Sequence, residues 1–197
     1  MAHQLQLEKV KYRQWVKAGL GLGYLREGLA PFCQKIADQQ HRDIIDSIQR
    51  QKCFPLPVTC GACNIRTLKP DHVRRGNKVC PFGQTNCNCW FPNGKTPCPN
   101  NICGAIYDSI IQSHASNPPA PNWKNTDSHM WTVDPWSVAK CFINAPGYSN
   151  KTSAAETDVT GLLHLIVNNI YFQSHISCSL TGANIFSKVS SKLIIAM

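Results

Sequence analysis

The sequence predicts a mostly α protein, a helical domain carrying an irregular, cysteine-rich, zinc-stapled insert. Three observations predict it. Apolar residues recur at helical spacing on both flanks, eight of the eleven cysteines fall between Cys53 and Cys103, and that stretch is short of apolar material and rich in turn formers. The chain therefore divides into an N-terminal helical part at 1–52, a basic insert at 53–103 and a C-terminal helical part at 104–197.

From residue 4 to about residue 52 the pattern is helical. Tyr12, Trp15, Val16 and Leu20 form one apolar stripe, and Leu22, Leu25, Leu29, Phe32, Cys33 and Ile36 a second, with Gly19, Gly21 and Gly23 expected at the join. A third segment is expected from Asp38, with Ile44, Ile45 and Ile48 on a narrow face. Pro55 and Pro57 then end helical character.

Helical spacing resumes at Ile102, Ala105, Ile106, Ile110 and Ile111, so Cys103 opens a helix. Residues 115–133 form a proline-rich connection whose Trp123 and Trp131 are expected to pin it to the core. Asp134-Pro135-Trp136 is a helix start, because the carboxylate accepts from free N–H groups and proline's fixed φ suits the first helical position. Thr157 or Asp158 caps the next helix, with Val159, Leu162, Leu163, Ile166, Val167 and Ile170 on its apolar face. A last short helix is expected over Ala183 to Val189.

A composition 43% hydrophobic and 16% charged is that of a chain that folds. No apolar run is long enough to span a bilayer, and the first residues lack the apolar core of a secretory signal. The expected setting is intracellular, cytoplasmic or nuclear, and reducing. There clustered cysteines read as metal ligands and not as bridges.

Cys60-Gly61-Ala62-Cys63 has the two-residue spacing that lets both thiolates of a tight turn reach one zinc ion. Two ligand sets compete: Cys60, Cys63, Cys98 and Cys103 as a two-knuckle ribbon, or Cys80, Cys87, Cys98 and Cys103 as a hairpin. Cys53 and Cys89 rank below these, and Cys33, Cys141 and Cys178 read as ordinary buried thiols. His72, His114 and His129 are near enough to replace a thiolate, though such histidines are ordinarily surface residues. A closed four-thiolate zinc site leaves no position for water, so the metal would be structural.

The net charge is +9, and seven of those charges arise between Arg50 and Lys95. Arg66, Lys69, Arg74, Arg75, Lys78 and Lys95 are the candidate nucleic-acid contacts, since clustered cations suit a phosphate backbone. Phosphate-loop, dinucleotide-turn, zinc-protease and nucleophile-elbow motifs are all missing, so the chain reads as non-enzymatic.

Four stretches stand out: Tyr12-x-x-Trp15-Val16-Lys17-Ala18-Gly19, Cys98-Pro99-Asn100-Asn101-Ile102-Cys103, Trp123-Lys124-Asn125-Thr126-Asp127 and Asp134-Pro135-Trp136-Ser137-Val138-Ala139-Lys140-Cys141-Phe142. They resemble an animal family whose mammalian member is the product of an X-chromosome open reading frame. The C-terminal half resembles the HEPN domain of the DAZ-interacting RNA-binding ubiquitin ligase. That resemblance implies a helical domain with a role in RNA binding or innate defence. In many HEPN proteins an Arg and a His on a late helix cleave RNA. This chain reads Ser190-Ser191-Lys192-Leu193-Ile194-Ile195-Ala196-Met197 where that motif is expected. A truncated end is the expectation, with exposed apolar surface on the Val159–Ile170 helix.

Three functions are thus in play: an RNA- or other nucleic-acid-binding module, a protein-interaction adaptor using the Trp-rich connection and exposed helices, and, last, a HEPN-type ribonuclease.

Overall fold

The longest element, α1 (Val10–Lys52), is a 43-residue helix, about 65 Å long at 1.5 Å per residue. It dominates the computed structural model, which describes residues 9–53, 57–76, 79–90, 95 and 97–176. All its buried residues lie from Leu29 onward: Leu29, Ala30, Cys33, Ile36, Ala37, Gln40, His41, Ile44 and Ile48, recurring at helical spacing along one face. In the first half Trp15 is 71% exposed, and Leu20, Leu22 and Tyr24 are exposed with it.

The expected join at Gly19, Gly21 and Gly23, and the separate segment from Asp38, are replaced by one continuous helix. Nothing lies within 4 Å of a side chain placed at any of the three glycines. Glycine costs a helix about 1 kcal/mol against alanine, a penalty but not a stop signal. The helix ends where Cys53 turns left-handed (φ 54°) and its N–H donates to the Gln49 carbonyl.

Against the second half of α1 pack α2 (Ile102–Gln112), α3 (Pro135–Ala139), the 3-10 turn Ala154–Glu156 and α4 (Val159–Asn168). Trp131, Trp136, Phe142, Ile143, Leu162, Leu165, Ile166 and Phe172 form the solvent-free centre. The Asp134 carboxylate accepts from the N–H groups of Trp136 at 2.9 Å and Ser137 at 3.1 Å, the cap its sequence predicts for α3. Asp158 caps α4 in the same way, accepting from Gly161 N–H at 2.8 Å.

The predicted stripe of α4 is shifted. Leu162, Leu165 and Ile166 face the core, whereas Ile170 is exposed and belongs to a further helix, α5 (Ile170–Ser174). The break is at Asn169, whose side chain exchanges two hydrogen bonds with the buried Gln40 amide of α1, at 2.8 and 3.3 Å. A polar partner deep in the core outweighs apolar periodicity here, because a buried amide left unpaired costs about 1–3 kcal/mol.

No strand forms among the described residues, and none of their helices is long and apolar enough to cross a membrane. The insert is tied to the helical core. Cys60 N–H donates to Thr132 Oγ1 at 3.3 Å, Ser128 Oγ donates to the Cys63 carbonyl at 2.7 Å, and Leu68 and Val58 are buried. As expected, the connection is pinned by its aromatics: Trp131 is buried and donates to Thr126 Oγ1 at 2.7 Å, and Trp123 stacks on Tyr107 at 4.6 Å. The 183–189 segment, the Ser190–Met197 end and Cys178 lie outside the described residues.

Candidate metal centres

Among the described residues two clusters of ligand side chains form in the insert, each with four donor atoms within 4.8 Å of one another. The first joins Cys60 and Cys63 to Cys98 and Cys103. Zinc–sulfur bonds of about 2.3 Å place tetrahedral sulfurs about 3.8 Å apart. The Cys60 and Cys63 sulfurs stand 3.5 Å apart.

Local backbone explains the second half of this cluster. Asn101 N–H donates to the Cys98 carbonyl at 2.7 Å, closing a turn in which Asn100 (φ 60°) and Asn101 (φ 53°) are both left-handed. Asparagine is among the residues that tolerate this region best. The turn aims Cys103 N–H, in the first turn of α2, at Cys98 Sγ at 3.3 Å. Gly104 follows because a Cβ there would stand 2.4 Å from the Lys69 carbonyl oxygen. The insert can therefore lie directly on the start of α2.

Sulfur crowding sets the protonation of this cluster. The Cys103 thiol and backbone N–H hold Cys98 down to about 5, whereas burial and the Cys60 thiol push Cys63 up to about 12. Cys103 is driven well above the ordinary thiol range by Cys98 and then by burial. One thiolate thus shares its charge among neighbouring thiols, and a divalent cation would allow all to ionise.

The second cluster gathers His72, Cys80, Cys87 and Cys89. Gly83 (φ 71°) closes a tight turn after Cys80, donating to its carbonyl at 2.9 Å, and Trp90 N–H does the same to Cys87 at 3.0 Å. His72 Nε2 lies 3.6 Å from Cys80 Sγ and 3.3 Å from Cys87 Sγ. Its Nδ1 lies 2.6 Å from Asp108 Oδ1 on α2, and its backbone N–H donates to Asp108 Oδ2 at 2.7 Å. Burial alone would lower the His72 pKa, but the Asp108 carboxylate and the Cys87 sulfur outweigh it and lift the group to about 10. Burial likewise opposes ionisation of Cys87, yet His72 holds it down to about 7.

Beside this cluster is a cleft of about 400 Å³ lined by Lys69, Arg74, Arg75 and Lys95, with His72 and Cys89 in its wall and no acidic side chain among its described lining residues. The Arg74 guanidinium lies over the Trp90 ring, 5.9 Å from its centre. Lys95 donates to the Arg66 carbonyl, while Arg66 itself is exposed outside the lining. Asp71, the acid of this stretch, is paired with Lys52 at 2.7 Å. Lys78 lies outside the described residues.

A family model for a domain of unknown function, DUF4559, matches residues 6–186. The chain belongs to the DUF4559 family. It is 26% identical over 162 residues to the mouse (Mus musculus) uncharacterized protein CXorf38 homolog, a match covering 82% of this chain and 42% of that protein. The chain thus matches well under half the length of that relative. No solved structure matches it.

In this DUF4559 chain the predicted metal residues are divided between two places. Cys60, Cys63, Cys98 and Cys103 meet as the two-knuckle set proposes. The hairpin set does not assemble, because Cys80 and Cys87 are drawn to His72 and Cys89 instead. Cys89, ranked low from its spacing, and His72, read as a surface residue, are buried in the cluster, the His72 side chain only 7% exposed. The local signal for them was the Cys87-x-Cys89 pair and the glycine turn after Cys80. Nothing near His72 in sequence announces Asp108, thirty-six positions on. Cys33 and Cys141 are buried thiols, each pushed up to about 12 by burial. Cys53 is exposed at the end of α1.

Proposed function

We propose that this chain is a non-enzymatic nucleic-acid-binding module whose partner is RNA, with an insert fixed by a structural zinc on Cys60, Cys63, Cys98 and Cys103. The observation that carries the reading is the cleft beside the insert's cysteines, where Lys69, Arg74, Arg75 and Lys95 converge with no acid among the described lining residues. Four cations around one concavity suit a phosphodiester backbone. A four-thiolate set suits zinc and leaves no open position, so the metal would hold the insert and not activate water. The resemblance of the C-terminal half to a HEPN domain favours RNA over DNA.

The test is binding of labelled single-stranded RNA to the full chain across a salt series. Affinity is expected to fall steeply with salt, with a log–log slope of about −0.7 per phosphate neutralised. Arg74→Glu with Arg75→Glu should weaken binding at least ~10-fold with melting and metal content unchanged. Binding that ignores salt and this reversal, or no binding, would contradict the proposal.

A second reading, a protein-interaction adaptor, is favoured by the exposed Trp15, Leu20, Leu22 and Tyr24 on the first half of α1. A partner retained after nuclease treatment and after the Arg74/Arg75 reversal would support it. A ribonuclease reading has less behind it. Arg66 and His72 have an Arg-to-His separation of the length such a motif uses, but Pro70 lies between them, Arg66 is exposed and His72 is engaged with Asp108 and two sulfurs.

A further inference from the structure

We infer that His72, Cys80, Cys87 and Cys89 form a second metal centre, a site of three thiolates and one imidazole for a zinc-type ion, with Asp108 as its orienting carboxylate. The four donors converge on one point, and the three cysteines are buried. Asp108 touches His72 twice, at the ring Nδ1 (2.6 Å) and the backbone N–H (2.7 Å). A carboxylate at Nδ1 calls for a proton on that nitrogen. The Nε2 lone pair is then left pointing among the sulfurs, the arrangement in which a carboxylate fixes a metal-bound histidine.

The same residues invite another reading, because Cys87, His72 and Asp108 stand in the order of a cysteine nucleophile, its base and an orienting acid. Two features decide against it. Cys87 is only 1% exposed, out of reach of a substrate. Cys80 and Cys89 bring two further sulfurs to the same point, which a metal needs and a nucleophile does not. The Tyr107 hydroxyl stands 3.5 Å from Cys87 Sγ and accepts from Asn88 N–H at 3.5 Å.

Loading requires no redox partner. Three metal–sulfur bonds and one metal–nitrogen bond form, and the thiol protons, with any proton on Nε2, pass to solvent. Soft sulfur with one imidazole selects zinc among common divalent ions. The site also has a structural consequence: His72 and Cys89 are part of the wall of the basic cleft, so this ion would fix the backbone carrying Arg74. That consequence rests on the nucleic-acid reading, whereas the metal assignment does not.

The experiment measures metal content of the full chain, then repeats it on Cys60→Ser/Cys98→Ser and on Cys80→Ser/Cys87→Ser, with cobalt substituted for zinc to read the ligand set from absorption. Expected are two ions per wild-type chain and one in each variant. The one left after Cys60→Ser/Cys98→Ser should show the weaker sulfur-to-cobalt charge transfer of a three-thiolate site. Should a cysteine pair fail to fold, Asp108→Asn decides, because it keeps the side-chain shape. It is expected to weaken one of the two ions 10- to 100-fold against a chelator and leave the other unchanged.

One ion in the wild type, no response to Asp108→Asn, or stoichiometric alkylation of Cys87 in the native metal-loaded protein would overturn the assignment. Two ions without RNA binding would sink the nucleic-acid reading and leave this one standing.

Discussion

The two clusters of the insert use four donors each but are assembled differently. Cys60 and Cys63 come from one short irregular stretch, and Cys98 and Cys103 from the turn that opens α2. The other cluster needs His72, an isolated residue held by Asp108 from the middle of α2. The first therefore joins two sequence-local pairs across thirty-five positions, whereas the second gathers its ligands from one stretch and takes the orientation of its histidine from Asp108, thirty-six positions on. Variants that strike one cluster and spare the other expose this difference.

Removal of a ligand built into α2 has the largest expected effect. Cys103→Ser should release the first ion and lower stability by on the order of 4 kcal/mol, about 8–16 °C in melting temperature for a chain of this size. Metal analysis with a thermal melt checks this, and the second ion should remain. Gly104→Ala comes next, since its Cβ would meet the Lys69 carbonyl at 2.4 Å. About 3 kcal/mol of destabilisation is expected, with weakened chelator resistance at the first centre alone.

For the second centre, Asp108→Asn exchanges a charged acceptor for a neutral one and should cost about 2 kcal/mol by urea unfolding of the metal-loaded chain. The first centre should be untouched. Within one helix, two neighbouring turns would then report on two different ions.

Much of this arrangement is legible in the sequence where the cause is local. Asp134 and Asp158 cap helices as their positions predict, and Cys60-x-x-Cys63 brings both sulfurs to one cluster. The misses share a non-local cause. The Asn169–Gln40 amide pair ends α4 before its apolar stripe runs out, and Asp108 converts a loop histidine into a cluster member. Glycines 19, 21 and 23 misled in the opposite sense. They lower helix propensity, but the helix runs through all three with open space beside each.

The smallest predicted effect is a control that belongs to neither centre. His114 is buried against Phe142, its Nδ1 accepting from Ser116 N–H at 3.1 Å, and burial depresses its pKa below the ordinary value of 6.5. A depressed histidine is neutral when folded while the unfolded chain still takes up a proton. Its contribution is full above 6.5 and is lost as pH falls from there toward the folded value. His114→Asn, which keeps an acceptor near the Nδ1 position, should flatten this part of the stability–pH curve in urea titrations without changing metal content.

The central claim is that metal ions hold this insert in place, and native mass spectrometry of the full chain tests it most directly. The account predicts a mass greater by two zinc ions less the displaced protons, no disulfides, and loss of both ions together with the cooperative melt on acidification. A metal-free chain that melts with the same cooperativity and midpoint before and after chelation would contradict it.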